Sequence, residues 1–346
     1  MLLPVLAAAG TTALAGTTFA GAASASAHSR PRVAPVPLVV YSAQGYDKAV
    51  TTAFQKKTGI PVLLDDDSTG PLLAKVEAER NNPKWGVLWV DGSTAFAGLD
   101  KMGLLYRGYE PKVNWTTLGS ESLPADKSYV PVSMTLMAAM VYNPKVVSNP
   151  PKTWQQLLQA RWKGAVGMNN PLISGPTFPF VAGMMNDLGG IVPGETYFKK
   201  LKANGLVVNP TNGDTLTALE NGQIKLALIQ SSAAVGATFT DHNLKVVYLP
   251  PVTLLPGVIG IDVKAPPAVR AEAERFIQYV LSPAGQKVMQ VGDPTGDSLF
   301  YPIVKGIKAR KALPSIARVK TQSIDPYKWG PKENAINNWF NTNIVQ

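Results

Sequence analysis

The most informative absence in this 346-residue sequence is cysteine, of which there is none. Without thiols the chain forms no disulfide, no thiolate nucleophile and no cysteine-ligated zinc or iron–sulfur site. We also expect no lipid anchor on an N-terminal cysteine. Histidine is almost as rare, with only His28 and His242, and His28 lies at the end of a segment that we expect to be cleaved off. A single imidazole leaves little room for histidine-dependent catalysis or metal binding.

Sequence motifs of catalysis are missing as well. The chain has no G-x-S-x-G turn, no G-x-x-x-x-G-K-[ST] phosphate loop and no H-E-x-x-H helix. His242 falls in the polar run 240–243, where we expect a solvated loop. We therefore predict that the chain is not an enzyme and has no catalytic residue, no metal site and no cofactor.

Acidic residues are in the minority, since 23 Asp and Glu stand against 33 Lys and Arg and give a net charge of +10. A basic chain favours anionic partners. The positive residues are scattered, without the basic run or the recognisable module of a nucleic-acid-binding protein. We expect a solvated basic surface, no nucleic-acid partner and a monomer.

Charge is absent from residues 1–27, which are rich in Leu, Ala, Gly, Thr and Ser. The segment ends in Ala23-Ser24-Ala25-Ser26-Ala27, which offers A-x-A cleavage sites. It is too poor in strongly apolar residues for a membrane span, and it lacks the basic start of a typical secretory signal. We predict a signal peptide over 1–27 and a soluble protein secreted to the periplasm.

Apolar strands alternate with helical stretches beyond residue 36. Strands are predicted at 37–41, 60–64 and 85–90, each followed by a polar turn and a helix, and a second set begins with a strand at 164–168. This alternation predicts parallel sheets with helices on both faces. Two long extended segments, near 129–142 and 246–263, bracket the middle of the chain. We predict an α/β protein of two lobes, each with a mainly parallel sheet flanked by helices, joined by two hinge crossovers. One large sheet with long strands is the alternative.

The two crossovers set the predicted domain boundaries. Residues 36–133 plus 254–346 are expected to form the first lobe, and residues 134–253 the second. A cleft is then expected between the lobes.

Small hydroxyl-rich turns follow almost every predicted strand. Ligands bind at the carboxyl ends of strands in open α/β sheets, and helix N-termini at those ends accept anions. Ser and Thr add hydroxyl donors, and Gly lets the backbone approach closely. N-capping is the alternative role for any single turn. The turns contain Ser42, Ser68-Thr69-Gly70, Ser93-Thr94, Ser174-Gly175, Thr211-Asn212-Gly213 and Ser231-Ser232.

Several blocks resemble the extracellular solute-binding proteins of ABC importers, in the group that binds ferric ion, phosphonates and sugar phosphates. They are residues 38–44, 57–60, 68–75, 151–164 with P-K-T-W and W-K-G, 197–205, and 276–286 with L-S-P-A-G-Q. The resemblance implies the type II periplasmic-binding-protein fold, closure of both lobes around one ligand, and transient docking on a membrane permease. In the iron binders of this group two adjacent tyrosines follow the strand that matches residues 224–229. Gln230-Ser231-Ser232 stand there instead, which argues against ferric iron.

A small anionic ligand, either a phosphonate or a phosphorylated compound, is therefore expected. Its oxyanion would lie between residues 68–70 and 174–177, and Asp65 or Asp66 would receive an amine such as an aminoalkylphosphonate offers. The predicted ligand-binding residues are Ser42, Asp66, Ser68, Thr69, Gly70, Ser93, Ser133, Ser174, Gly175, Thr177, Gln230 and Ser231.

Other functions stay open at this point. The Asp65-Asp66-Asp67 cluster, with Trp85, Trp89 and Trp115, leaves room for a polyamine, a sugar or a carboxylate, and ferric ion is a further alternative. A periplasmic sensor module, or an enzyme on the same two-lobe scaffold, would share the fold.

Overall fold

The computed structural model describes residues 36–346. The predicted signal peptide, residues 1–27, lies outside the described residues, as does His28. Across 36–346, no helix combines the length and the hydropathy that crossing a bilayer requires.

Strands and helices alternate in this part of the chain, largely where the sequence predicts them. The strands are β1 (Leu38–Ser42), β2 (Val62–Asp66), β3 (Val87–Asp91), β4 (Tyr129–Tyr142), β5 (Val166–Asn169), β6 (Val207–Asn209), β7 (Leu226–Ile229), β8 (Lys245–Ile261) and β9 (Thr321–Gln322). The α-helices are α1 (Asp47–Thr58), α2 (Thr69–Ala78), α3 (Ser93–Lys101), α4 (Thr117–Glu121), α5 (Thr177–Asp187), α6 (Ile191–Ala203), α7 (Asn212–Glu220), α8 (Ser231–Thr240), α9 (Pro267–Val280), α10 (Pro283–Gly292), α11 (Pro326–Trp329) and α12 (Glu333–Phe340). Short 3-10 turns cover Trp154–Leu158, Ala160–Trp162, Ile316–Arg318 and Gly330–Lys332, and a π turn covers Asn341–Val345.

Helix boundaries follow from the local sequence. α1 ends at Gly59, whose φ of 74° lets the chain leave the helix while its N–H bonds to the Gln55 carbonyl at 2.8 Å. α9 and α10 each begin on a proline, at Pro267 and Pro283, where the missing N–H costs nothing. The predicted helix end at Thr58-Gly59 is confirmed.

One sheet orders the strands β2-β1-β3-β8-β4-β7-β5-β6, with β9 paired to β8. β1 runs parallel to β2 and β3, and β5 runs parallel to β6 and β7. The long strands β4 and β8 lie between these two groups and pair antiparallel with each other. β8 is also antiparallel to β3, and β4 to β7. The predicted α/β class is confirmed, with two mainly parallel groups of strands joined by two long crossovers.

The crossover strands lose their register near the middle. Residues 129–137 of β4 pair with residues 253–260 of β8, whereas residues 139–142 pair with residues 245–248. On its other side β8 pairs with β9 through Val252 and Thr253. This break lies close to the predicted domain boundaries at 133/134 and 253/254, which stay predictions.

Separate apolar cores pack on the two parallel groups. In the core beside β1 and β3, the ring centroids of Trp89 and Phe276 lie 5.7 Å apart. In the core beside β5 and β7, Phe198 meets Phe180 at 6.0 Å and Phe340 at 5.3 Å. Phe340 belongs to α12, so the C-terminal helix packs on this second core, although the sequence places residues 254–346 in the first lobe.

α12 begins with a buried acid, Glu333. Its side chain is 6% exposed, and its Oε2 has no hydrogen-bond partner within residues 36–346. Burial raises the pKa of Glu333 to about 8. The Thr94 hydroxyl lowers this pKa, and the negative charge of Glu77 raises it. Because the pKa of the folded state exceeds that of the unfolded chain, the stability contributed by this group falls as the pH rises from the ordinary glutamate range to about 8.

We predict that Glu333→Gln stabilises the protein under alkaline conditions. At about pH 9 the variant should gain about 2 kcal/mol in free energy of unfolding, because no buried charge is left without a partner. At about pH 5 both proteins carry a neutral group there and should unfold at similar temperatures. Calorimetric unfolding at the two pH values checks this, with the exposed Glu121→Gln as the matched control. A variant that keeps the wild-type pH dependence would contradict the assignment.

Candidate functional site

The carboxyl ends of six strands meet at one cleft. β1, β2 and β3 reach it from one parallel group, and β5, β6 and β7 reach it from the other. The cleft volume is about 420 Å³, within the range of small-molecule sites. Its lining consists of Ala43, Gln44, Gly45, Asp66, Asp67, Ser68, Thr69, Asp91, Ser174, Pro176, Thr211, Asn212, Gly213, Gln230 and Asp297.

The charge in this cleft is negative. Asp66, Asp67, Asp91 and Asp297 line it, and within residues 36–346 no Lys, Arg or His does. The net charge of +10 is therefore carried by other surfaces. A purely anionic ligand would meet four carboxylates and no basic side chain.

Asp91, at the end of β3, links the two sides of the cleft. Its Oδ1 accepts the Nε2 of Gln44 at 3.0 Å, and its Oδ2 accepts the Nε2 of Gln230 at 2.8 Å. Gln44 follows β1, whereas Gln230 follows β7 in the other group of strands. Asp91 is 6% exposed, and burial raises its pKa well above the ordinary aspartate value, with the charge of Asp297 raising it further.

Asp297 makes a second link of the same kind. It lies beyond α10, where its Oδ2 accepts the N–H of Gly45 at 2.8 Å and its Oδ1 accepts the hydroxyl of Ser232 at 3.2 Å. Ser232 lies in the first turn of α8, on the opposite side from Gly45. Burial raises the pKa of Asp297, and the neighbouring Asp293 adds to this effect.

Backbone contacts also join the two sides. The N–H of Gly70, in α2, donates to the carbonyl of Ile173 at 3.1 Å. A Cβ on Gly70 would lie 2.1 Å from the Leu172 carbonyl oxygen, and one on Gly175 would lie 2.3 Å from the Cγ2 of Thr69. Glycine is needed at position 70 because two backbones approach closely there, and at position 175 because the Thr69 side chain lies against the backbone. The structure therefore shows the two sides closed on each other at this point.

Several helices begin at the cleft without a side-chain cap. α2, α5 and α8 have none at their first residues. In α5 the N–H groups of Thr177 and Phe178 already donate to the Ser174 and Gly175 carbonyls. The N–H of Thr69 in α2 and that of Ser231 in α8 donate to no residue of 36–346 and are left for other acceptors. α7 differs, because Thr211 and Asp214 form a capping box. Capping, the alternative role for the hydroxyl-rich turns, therefore holds at Thr211 and not at Ser68.

Asn212, at the start of α7, has a fixed amide orientation. Its Oδ1 accepts the Nδ2 of Asn169 at 2.6 Å and the N–H of Gln230 at 3.4 Å. The remaining Nδ2 is a donor on a residue that lines the cleft, and in the described chain it donates to no other residue. Asn212 is thus a neutral hydrogen-bond donor available to a ligand.

The structure brings some of the predicted ligand-binding residues into the cleft lining. These are Asp66, Ser68, Thr69, Ser174 and Gln230. Gly70 and Gly175 lie beside the cleft and supply the close backbone contacts. Whether these residues contact a ligand stays a prediction.

The other predicted residues lie outside the lining. Ser42 accepts the N–H of Gln44 at 3.3 Å, and Ser231 accepts the N–H of Leu136 at 3.0 Å, so both hold the backbone behind the cleft. Ser133 and Thr177 are 2% and 0% exposed. Ser93 lines a different cavity of about 470 Å³, which also contacts the crossover strands at Met134 and Leu254.

Sequence reasoning missed several lining residues. Asp91 ends a predicted strand, and Thr211-Asn212-Gly213 is one of the hydroxyl-rich turns identified in the sequence. Their positions at strand ends could therefore have predicted that they line the cleft. Gln44 and Asp67 adjoin predicted site residues. Asp297 had no local signal, because it reaches the cleft from a loop far along the chain.

The structure also bears on further expectations from the sequence. Asp65 pairs with Lys75 and does not line the cleft, so Asp66 is the one available to an amine. Trp85 and Trp89 are 4% and 0% exposed in the core, away from the cleft. His242 is exposed and its Nδ1 contacts the Thr238 carbonyl at 3.0 Å, so the predicted solvated loop is confirmed. No group of three or more His, Asp or Glu in residues 36–346 is arranged to hold a metal ion.

Comparisons with known proteins agree on one kind of protein. Residues 49–309 match the family described as bacterial extracellular solute-binding protein. A periplasmic protein of Salmonella paratyphi A, whose name assigns it to 2-aminoethylphosphonate binding, is 23% identical over 243 residues, 68% of each chain. Iron-bound HitA from Pseudomonas aeruginosa is similar with a TM-score of 0.77 at 24% identity, over 90% of this chain and 100% of that one. AfuA from Actinobacillus pleuropneumoniae, with fructose-6-phosphate bound, gives 0.78 at 19% identity, over 89% and 98%. Both solved structures are similar to this chain in fold.

Proposed function

The chain belongs to the bacterial extracellular solute-binding proteins, which are not enzymes, and from this premise we propose that it captures a small zwitterion for an ABC permease. The ligand carries an amine at one end and a phosphonate or phosphate group at the other, as an aminoalkylphosphonate does. The observation that carries the proposal is the composition of the cleft, which pairs four carboxylates with uncapped helix starts and no basic side chain.

The oxyanion end is assigned to neutral donors. The starts of α2 and α8, at Thr69 and just after Gln230, offer backbone N–H groups and the positive ends of helix dipoles. Asn212 adds an amide donor. Such donors bind a phosphonate without Lys or Arg, as backbone amides at helix N-termini do in phosphate sites.

The amine end is assigned to the carboxylates. Asp66 and Asp67 are exposed at the rim, and Asp91 and Asp297 lie deeper. An ammonium group would form charge-assisted hydrogen bonds with them. This assignment refines the expected anionic ligand, because an anion without a cationic end would meet uncompensated negative charge.

A relative named for 2-aminoethylphosphonate binding supports this choice. No tyrosine lines the cleft within the described residues, which disfavours the tyrosine-ligated ferric ion. A polyamine is the second candidate, because four carboxylates without a basic partner also suit a dication. The two candidate ligands differ in one group, because only the zwitterion has an oxyanion that Asn212 and the helix starts would bind.

We expect titration calorimetry to rank 2-aminoethylphosphonate first in a panel with ethylphosphonate, propylamine, putrescine, inorganic phosphate and ferric citrate. Removing the amine should cost at least about tenfold in affinity, because buried carboxylates are then left without a cation. Tight binding of putrescine with no response to any phosphorus compound would replace the proposal with the polyamine. Tight binding of ferric citrate alone would overturn both.

A further inference from the structure

Asp91 and Asp297 lie in the cleft without a cation. All four of their carboxylate oxygens accept hydrogen bonds, yet every donor is neutral. The donors are the amides of Gln44 and Gln230, the N–H of Gly45 and the hydroxyl of Ser232. Neutral donors stabilise a carboxylate, but they do not cancel its charge.

The charged groups around the pair add negative charge. The titratable neighbours are Tyr46, Asp47, Asp66, Asp67 and Asp293. Asp293 accepts the N–H of Asp297 at 2.6 Å. Arg310 reaches the same loop from outside, where its Nη1 donates to the Pro294 carbonyl at 2.6 Å, and it forms no ion pair with Asp297. In residues 36–346 the pair therefore has no positive partner.

We propose that Asp91 and Asp297 share a proton in the unliganded cleft and that the cationic group of the ligand replaces this proton on binding. The inference rests on the proposed function, because it takes a cationic end of the ligand as given. The two carboxyls are neighbours, because Gln44 and Gln230 bond to Asp91 while Gly45 and Ser232, one and two residues further along, bond to Asp297. Neighbouring carboxylates do not both ionise freely, since each disfavours the charge of the other. One proton removes that repulsion, and an ammonium group removes it as well. The displaced proton leaves to solvent.

The pH dependence follows from this exchange. Burial raises the pKa of both carboxyls, so a proton is held where an ordinary aspartate would have lost it. Proton and ammonium compete for the same oxygens. Affinity for an amine-bearing ligand should therefore rise with pH through the neutral range and level off once the proton has left.

The experiment has two readouts on the full chain. The first is infrared difference spectroscopy of the unliganded protein, which detects the carbonyl stretch of a protonated carboxyl. Because burial also raises the pKa values of Glu333 and Asp47, the measurement is made in a Glu333→Gln background. The shared proton is the part of the band that is present at about pH 6, absent at about pH 9 and lost in Asp297→Asn. Asp187→Asn, an exposed residue at the end of α5, removes the same charge far from the cleft and should leave the band intact.

The second readout is proton release, from calorimetry in buffers of different ionisation enthalpy. On binding 2-aminoethylphosphonate, the wild type should release up to about one proton more than Asp297→Asn, because the titration of the ligand itself is the same in both measurements. Asp297→Asn should also lose about tenfold of the preference for the amine over ethylphosphonate. Equal proton release from the two proteins overturns the inference and leaves the proposed function standing. If the band of the protonated carboxyl is present but 2-aminoethylphosphonate does not bind, the shared proton is supported and the proposed ligand is overturned. If the band is absent, the shared proton is overturned whichever ligand binds.

Discussion

Gly70→Val should lower the affinity for ligand by about 100-fold or more while leaving the unliganded protein folded. The N–H of Gly70 bonds to the Ile173 carbonyl at 3.1 Å across the cleft, and an added Cβ would lie 2.1 Å from the Leu172 carbonyl oxygen. That oxygen belongs to the backbone, so no side chain can rotate to relieve the clash. Gly70 lies in the first turn of α2, at the edge of the fold and ahead of Pro71, and circular dichroism of the unliganded variant checks that the helices are retained. The substitution therefore acts on the closed arrangement and not on the fold.

In the proposed binding mode the ligand contacts both sides of the cleft, which links closure to affinity. When the closed arrangement becomes rare, the apparent dissociation constant rises by the same factor. Calorimetry measures the affinity, and small-angle scattering measures whether the ligand makes the protein more compact. We expect compaction in the wild type and none in Gly70→Val, with a smaller loss of affinity in Gly70→Ala.

Ala74→Val is the matched control for this prediction. It adds a valine side chain to the same helix at an exposed position, so affinity and compaction should stay at wild-type values. A Gly70→Val protein that binds and compacts normally would show that α2 and residues 172–173 do not meet in the liganded form.

Much of the fold was predictable because its signals are local. Strand β4 has the predicted bounds, 129–142, since a long apolar run bounded by Asn143-Pro144 has few alternatives. β8 was harder, because Pro250, Pro251 and Pro256 interrupt its pattern and suggest separate short strands. Proline lacks an N–H, and β8 accommodates Pro250 and Pro251 at the register break with β4, whereas Pro256 pairs with Met134 next to a second irregularity at residues 131–133.

The candidate site was predictable only in part. The rule that ligands bind at the carboxyl ends of strands brings Ser68, Thr69, Ser174 and Gln230 to the cleft. The rule does not say which residue of a turn faces inward, so Asp91 lines the cleft while Ser93, two residues on, lines the other cavity. Asp297 depends on the tertiary path of a distant loop, which no local pattern encodes.

The amino-acid composition also did not predict the sign of the charge in the cleft. A net charge of +10 favours anions at long range, yet the cleft holds Asp91 and Asp297 with neutral donors. Side chains on the outer surface set the net charge, whereas a few buried groups set the local field. A general attraction of anions and a local preference for an amine are therefore compatible in one protein.

Asn212→Asp should lower the affinity for 2-aminoethylphosphonate by about 100-fold, or about 2.7 kcal/mol, and should leave putrescine binding unchanged or tighter. The two side chains have the same shape, and one carboxylate oxygen can still accept from Asn169 Nδ2 and from the N–H of Gln230. An acid is favourable at the first residue of α7, next to the positive end of the helix dipole. The fold should therefore tolerate the change.

The effect on the ligand has an electrostatic cause. The substitution replaces the free Nδ2 donor with an anionic oxygen, which repels a phosphonate and attracts an ammonium group. Calorimetry with both ligands separates the two effects, and Asn186→Asp, an exposed site at the far end of α5, controls for the added charge. Equal losses for both ligands would mean that Asn212 only supports the loop. Unchanged binding of 2-aminoethylphosphonate would place the oxyanion elsewhere in the cleft, whereas opposite responses would fix the orientation of the zwitterion, with its phosphonate at α7 and its amine at the carboxylates.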